Sequence, residues 1–396
     1  MTAPRSVPVA IVGGGMAGLL LALLLRQAGQ RQVLLLETTP LQDDGLPLAP
    51  SFDARSTALS AGTLQVFDQL GLRETLLEQA EPILSVDVSR KSRLGQVRIN
   101  AAEEGLPMLG AVTENRWLGR VLLAAVARVG GIELRAPCAV RNARRQPDGY
   151  LIETEQGESI HCRLLVAADG AHSRVRQAFG LDARHQDTGH EAIFANIELQ
   201  RDHGGVAWER FLDAGPMALL PLPGRRMALV WTGTQRRMAP LLECPSEQFI
   251  AALQDDFGID RLGPIARIGS RHRYPLVLTH AIGQVVPFGV VVGNAAHTLH
   301  PVAGQGFNLS VRDLALLAQT VGDSDTPGAL TGLQRYHAAR AADQQQIVQA
   351  SRLLPELFRA TWGPFAHSRQ LGLVAMDLWP RLRSGFAARA MGVQHA

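Results

Sequence analysis

The run Gly13-Gly14-Gly15-Met16-Ala17-Gly18 limits what this chain can fold into more than any other feature. It lies between a short apolar, β-rich segment, Val7 to Val12, and a helix-forming segment, Met16 to Ala28, that Gly29 stops. Gly13 permits a tight turn, Gly15 lets the backbone approach a pyrophosphate, and Gly18 lets the helix pack closely on the strand. The helix N-terminus then presents amides and a positive dipole end to phosphates. A second apolar strand, Gln32 to Leu36, ends at Glu37, whose carboxylate can accept hydrogen bonds from both hydroxyls of an adenosine ribose. Two buried parallel strands joined by a helix make a βαβ unit. The bland alternative is a glycine-rich turn in an α/β fold without a ligand, and the motif does not separate FAD from NAD.

Val9 to Leu25 is apolar enough to pass for a secretory or membrane segment. Its four glycines, Gly13, Gly14, Gly15 and Gly18, and the lack of a following A-x-A cleavage site argue against both. No other segment reads as transmembrane. The three cysteines, Cys138, Cys162 and Cys244, are far apart and form no CxxC, so neither a disulfide framework nor a zinc site is expected, and a cytoplasmic setting is the default. The net charge of +3 is too small to imply a nucleic-acid partner.

Further along, Leu118 to Val129 reads as a helix, and Ile132 to Arg135, Tyr150 to Thr154, Ser159 to Cys162 and Arg163 to Ala168 as strands. The last of these runs into a second motif, Asp169-Gly170-Ala171-His172-Ser173-Arg174-Val175-Arg176. An Asp-Gly pair alone is only a turn, but this one stands at the carboxyl end of a strand in an α/β sheet, where ligands bind. From about Ala183 to Gly283 short strands separated by Pro and Gly turns suggest a sheet-rich insertion that covers a substrate, with one helix, Ser246 to Phe257, inside it. Gln284 to Val292 returns to a buried strand, and Phe307 to Val321 and Thr331 to Leu354 are helical.

The third motif is Gly293-Asn294-Ala295-Ala296-His297-Thr298-Leu299-His300-Pro301-Val302-Ala303-Gly304-Gln305-Gly306-Phe307-Asn308-Leu309. Its small residues let the backbone approach a flat ligand. The amides from Gly304 onward open a helix whose dipole suits an anionic ring edge.

Together the three motifs resemble the flavoprotein aromatic hydroxylases of the para-hydroxybenzoate hydroxylase type, over essentially the whole chain. The resemblance implies an α/β fold: a Rossmann-like FAD-binding domain (1–72, 108–182 and 284–350), an inserted β-rich substrate domain (73–107 and 183–283) and a helical C-terminal segment (351–396). It implies that Gly13, Gly15, Ala17 and Gly18 with Glu37 hold the ADP half of FAD, and that Asp169 serves both FAD and NAD(P)H. Asn294 would contact the ribityl chain, and Pro301, Gly304, Gly306 and Asn308 would line the flavin ring. Phe52-Asp53-Ala54-Arg55-Ser56-Thr57-Ala58-Leu59 looks like the D-x-R-x-x-A-L segment of the ubiquinone-biosynthesis branch, and Arg120 like the family's flavin-contacting arginine. The family's usual Asp in the third motif is Asn294 here, which can still hydrogen-bond a hydroxyl but carries no charge. With Leu371-Gly372-Leu373 to Trp379, this variant looks like the 2-octaprenyl-6-methoxyphenol hydroxylase subgroup.

The activity so implied is hydroxylation of a polyprenyl phenol with NAD(P)H and O2, through a flavin hydroperoxide, with no metal. Its rivals are a ring hydroxylase acting on another phenol or position, a flavin-linked isoprenoid reductase, and a nucleotide-holding scaffold in a biosynthetic complex. His300 is a candidate substrate-side hydrogen-bond partner. Trp208, Phe211 and Trp231 are either core or an apolar wall against the substrate. The C-terminal stretch combines arginines 352, 359, 369, 381, 383 and 389 with Leu371, Leu373, Leu378 and Trp379, so it is either a packed amphipathic helix or a surface that docks on membrane or a partner of a ubiquinone-biosynthesis complex.

Overall fold

The computed structural model describes residues 4–41, 55–91, 96–300 and 304–359. Asp53, Pro301 and the segment from 360 onward, all singled out above, lie outside the described residues.

One sheet is largely parallel. Its path runs Val285–Val286, Gly289–Val291, Ser159–Ala167, Arg5–Val12, Val33–Leu36, Ile132–Arg135, and the strand Gly149–Thr154 joins Ser159–Ala167 from the side. The middle strands are near-continuous apolar runs because both faces are covered, and Val9, Ala10, Ile11, Leu164, Leu165 and Val166 are all fully buried. The helix Met16–Gln27, called the glycine helix below, is buried from Leu19 to Leu25. It lies among the sheet, helix Asn115–Arg128 and helix Gln305–Val321. That burial on every side accounts for the membrane-like composition of Val9 to Leu25.

Two expectations change here. Ser159 to Ala168 was read as two strands but is one, Ser159–Ala167. Its first half alternates because it pairs antiparallel with Gly149–Thr154 toward the rim. Its second half is uniformly apolar because it lies between two parallel neighbours. Gln284 to Val292 is a tight hairpin rather than one strand, turning at Phe288 with φ 64°.

The second sheet, nine strands among the described residues, is mostly antiparallel. One face is covered by helices Gln235–Glu243 and Ser246–Phe257, with Met238, Phe249, Leu253 and Phe257 packed on Ile193, Met217, Leu219, Leu229 and Trp231. Ser85–Arg90 and Gln96–Asn100 belong to this sheet, whereas Ala80–Ile83 pairs with Gly110–Glu114 in a three-stranded sheet with Ser56–Ser60. The small sheet therefore draws on both sides of the boundary expected near residue 108. The large sheet also reaches into the third motif, since His297–Thr298 pairs with His272–Ala281.

Candidate functional site

The three motifs leave adjacent strands at the same end. Val12, Ala167 and Val291 close the strands Arg5–Val12, Ser159–Ala167 and Gly289–Val291, which are parallel neighbours. Backbone bonds carry the stitching onward. Ala168 N donates to Val12 O at 2.8 Å, and Val292 N donates to Ala167 O at 2.9 Å.

The glycines are required by this closeness. A Cβ on Gly13, where φ is +112°, would stand 2.3 Å from Ala168 O, and one on Gly18 would stand 1.9 Å from Gly13 O. A Cβ on Gly293 would meet the Ala17 side chain at 2.9 Å, so the third motif touches the first turn of the glycine helix. That helix has Gly15 at its N-cap, with no side-chain cap and no acid in its first turn. Its leading amides are thus left for an anionic ligand. Glu37 is oriented by two amides, Gly14 N at 2.5 Å to Oε2 and Thr39 N at 2.9 Å to Oε1. A carboxylate has about four acceptor sites, so lone pairs remain for ribose hydroxyls. This cradle fits the ADP half of a dinucleotide.

Asp169 spends its carboxylate within the chain. It accepts from Ser173 Oγ, from Arg174 N at 2.9 Å and from Val175 N at 3.2 Å, and so holds the N-terminus of the short helix Arg174–Ala178. The buried Arg176 then donates to Ala295 O at 2.7 Å and ties the second motif to the third. Arg176 lay inside the motif read from sequence, but nothing local showed that its partner would be a carbonyl in another motif.

In the third motif Asn294 sits in a 3₁₀ turn, Gly293–Ala295, and is exposed. Gly304 adopts the left-handed conformation, φ 58°, as N-cap of helix Gln305–Val321, which also lacks a side-chain cap. Its Cβ position would touch Ala58 at 3.2 Å, while Gly306 opens onto free space. Asn308 is buried with both ends of its amide engaged. Oδ1 accepts from Ser60 N at 2.9 Å and Thr63 Oγ1 at 2.8 Å, and Nδ2 donates to Ala58 O and Gly304 O, each at 2.9 Å. Its side chain therefore fastens the loop onto the Ser56–Ser60 strand.

His300 is buried, and burial, helped by the charge of His190 on the large sheet, pushes its pKa down to about 4. Near pH 7 it is a neutral hydrogen-bonding group. His297 directs Nε2 to Asp313 Oδ2 at 3.0 Å. Among the described residues no group of three or more His, Cys, Asp or Glu is arranged to hold a metal. Arg55 places its guanidinium over Tyr274, 4.6 Å from the ring centroid, and near Phe194 at 5.9 Å, so it stands where the two halves meet. Arg120 is half-buried on helix Asn115–Arg128.

The face of the large sheet opposite its helices carries a half-buried apolar strip. Trp208 and Trp231 point to the helix-covered side and pack on Phe257 and Phe249, and Phe211 is buried in the cluster between the sheets. All three are core. On the opposite face Ala218, Val230 and Phe194 are cross-strand neighbours and only half-buried, with Leu220 two residues along from Ala218. With Phe194, the smaller Ala218, Leu220 and Val230 form the apolar strip beside Arg55.

Comparison with known proteins agrees with this geometry. The FAD binding domain family matches residues 6–351. The ubiquinone hydroxylase UbiL of Rhodospirillum rubrum is 35% identical over 99% of this chain and 91% of its own length. The 3-demethoxyubiquinol 3-hydroxylase of Escherichia coli is 31% identical over 93% of this chain and 94% of its own. Among solved structures, p-nitrophenol 4-monooxygenase PnpA of Pseudomonas putida superposes with a TM-score of 0.77 at 17% identity, covering 99% of this chain and all of that one. Klebsiella pneumoniae HpxO, solved with FAD and uric acid, superposes with a TM-score of 0.73 at 17% identity, covering 97% of each.

Proposed function

The chain belongs to the FAD binding domain family and is an FAD-dependent aromatic-ring hydroxylase, and we propose that its substrate is a polyprenyl phenol of ubiquinone biosynthesis, hydroxylated with NAD(P)H and O2. The observation that carries this reading is a dinucleotide cradle on one sheet and an apolar strip, Ala218, Leu220, Val230 and Phe194, on the sheet that faces Arg55. An aromatic ring with an isoprenoid tail can lie against such a strip without losing hydrogen bonds.

When bound, FAD supplies hydride acceptance and O2 activation. The amides of the Gly13–Gly18 turn would receive its pyrophosphate and Glu37 its ribose. Asn294 and the backbone from Gly304 to Gly306 would face the ribityl chain and ring, with Pro301 and Arg120 beside them. The neutral imidazole of His300 would exchange a hydrogen bond with the phenol hydroxyl. The sheet would keep water from the reacting ring. Asp169, by holding helix Arg174–Ala178, would keep the second motif in place for both FAD and NAD(P)H.

The test combines two measurements. Purified protein should carry non-covalent FAD and form a product one oxygen heavier than a prenylated phenol, with NAD(P)H, only in the presence of O2. A strain lacking the gene should accumulate a quinone precursor that identifies the ring position. Turnover that needs no O2 would instead favour an isoprenoid reductase, and a flavin-free protein a scaffold. Among the described residues no helix is long and apolar enough to cross a membrane. We assign docking on membrane or on a biosynthetic partner to the stretch around Trp379. Flotation with anionic liposomes, lost in Trp379→Glu, is its check.

A further inference from the structure

Behind the third motif lies a buried polar network that the proposed chemistry does not use. Asp313, on helix Gln305–Val321, accepts from Arg340 Nε at 2.6 Å on Oδ1, and meets His297 Nε2 at 3.0 Å and Gln344 Nε2 at 2.8 Å on Oδ2. Gln344 is paired with Gln284 at 2.9 Å, and Arg340 also bonds Asp343, which Arg312 holds at 3.1 Å. Burial alone would raise the Asp313 carboxyl, but the hydrogen bonds and charges of His297 and Arg340 outweigh it and hold it below its usual range. Arg340, Asp343 and Gln344 all come from helix Leu330–Arg359.

Its placement gives this network a function. His297 stands three residues after Asn294 and is paired through its backbone with His280 of the large sheet. The loop that leads from Asn294 toward Gly304 is thus held at one point by a buried carboxylate, and that carboxylate is balanced by an arginine from a helix outside all three motifs. We propose that Asp313 and Arg340 are positioning residues for the cofactor loop: Arg340 fixes Asp313, Asp313 fixes His297, and His297 fixes the backbone that carries Asn294. The inference rests on the FAD-binding reading of that loop.

The arrangement predicts a distinctive pH response. His297 faces Asp313 of helix Gln305–Val321 and His280 of the large sheet, which has Arg184 beside it; around Asp313 stand Arg340 and Tyr336 of the long helix, with Asp343 bonded to Arg340. Asp343 is itself bonded to both Arg340 and Arg312, and the Tyr336 hydroxyl stays neutral because burial raises its pKa well above the ordinary value. With Arg340 present, the Asp313 charge is balanced whatever His297 carries. Without it, the His297 ring and the Gln344 amide are the remaining hydrogen-bond partners, and a buried carboxylate with no cation beside it is strongly unfavourable.

The experiment is FAD titration of apoprotein by flavin fluorescence between about pH 5.5 and 8.5, the range in which an imidazole charges. Wild type and Arg340→Lys should bind with little pH dependence. Arg340→Met should bind about tenfold more weakly at the alkaline end and recover toward wild type as pH falls, where an imidazole beside Asp313 can supply the missing cation. The double variant Asp313→Asn/Arg340→Met, with no charge left to balance, should be weakened at every pH without that recovery. Wild-type affinity throughout in folded Arg340→Met, or a loss identical to the double variant at every pH, overturns the proposal. Should Arg340→Met fail to fold, wild-type affinity in the double variant overturns it and a pH-independent loss supports it. If wild type itself retains no FAD, it is the cofactor reading that fails, and the two failures are distinguishable.

Discussion

The two larger sheets, eight strands in one and nine in the other among the described residues, would hold their ligand-facing groups in different ways. In the parallel sheet the work falls to backbone atoms in loops at the ends of buried strands: the amides after Gly13, the turn at Gly293, the opening of helix Gln305–Val321. Side chains there serve mainly to fasten loops together, as Asp169, Arg176 and Asn308 do. In the large antiparallel sheet the groups proposed to face substrate are side chains in mid-strand, Ala218, Val230 and Phe194, carried on a backbone whose own bonds are spent within the sheet. A backbone cradle tolerates no added atoms, whereas a wall of side chains can be re-cut without disturbing the frame. The first suits an invariant cofactor and the second a substrate that differs between related enzymes.

The contrast can be broken most sharply at Gly13. Gly13→Val should abolish FAD retention, a loss of affinity on the order of 100-fold or more, because the side chain overlaps Ala168 O and the residue needs φ > 0. Flavin absorbance of the purified variant measures it, and normal flavin content would refute the backbone-cradle account. The matching change in the other sheet is Ala218→Trp. FAD content and reduction by NAD(P)H should stay near wild type while product formation falls about tenfold or more, since the indole fills the strip without touching the cradle. Equal loss of flavin in both variants would erase the distinction.

A smaller effect concerns His300, whose pKa is lowered by burial and by His190 of the large sheet. Its folded pKa of about 4 lies below the ordinary value of 6.5, so the unfolded state binds more protons between those limits. The stability that the neutral buried imidazole allows is therefore fully present above about pH 6.5 and falls as pH drops toward 4, by at most about 1.4 kcal/mol per pH unit. His300→Gln should flatten denaturant midpoints across that window. An unchanged slope would show that His300 titrates normally. The smallest effect is expected for Asp169→Ala, where loss of its bonds to the Arg174 and Val175 amides at the helix N-terminus should cost about 1 kcal/mol of stability. Slower flavin reduction in stopped-flow would accompany it, whereas unchanged reduction and FAD affinity would limit Asp169 to capping.

The sequence alone determined the strand-turn-helix unit proposed to hold the cofactor. Strand, glycine turn and helix are local in the chain, and a dinucleotide cradle made of backbone needs only residues that allow close approach, so Gly13, Gly15, Gly18 and Glu37 were legible as letters. Three features were decided by tertiary structure. Which face of the large sheet is covered depends on helices Gln235–Glu243 and Ser246–Phe257, so Trp208 and Trp231 became core and the smaller Ala218 and Val230 stayed half-buried on the other face. Asn308, read as a ligand contact, turned its amide to Ser60, Thr63 and Ala58, which lie about 250 positions away in the chain. Arg340 carried no motif at all, and it acquired a role only when the long helix brought it to Asp313. The physical reason is the same in each case. A backbone's conformational freedom is written residue by residue, but a side chain's partner is set by what packing brings within about 3 Å, and distant segments meet only in the folded chain.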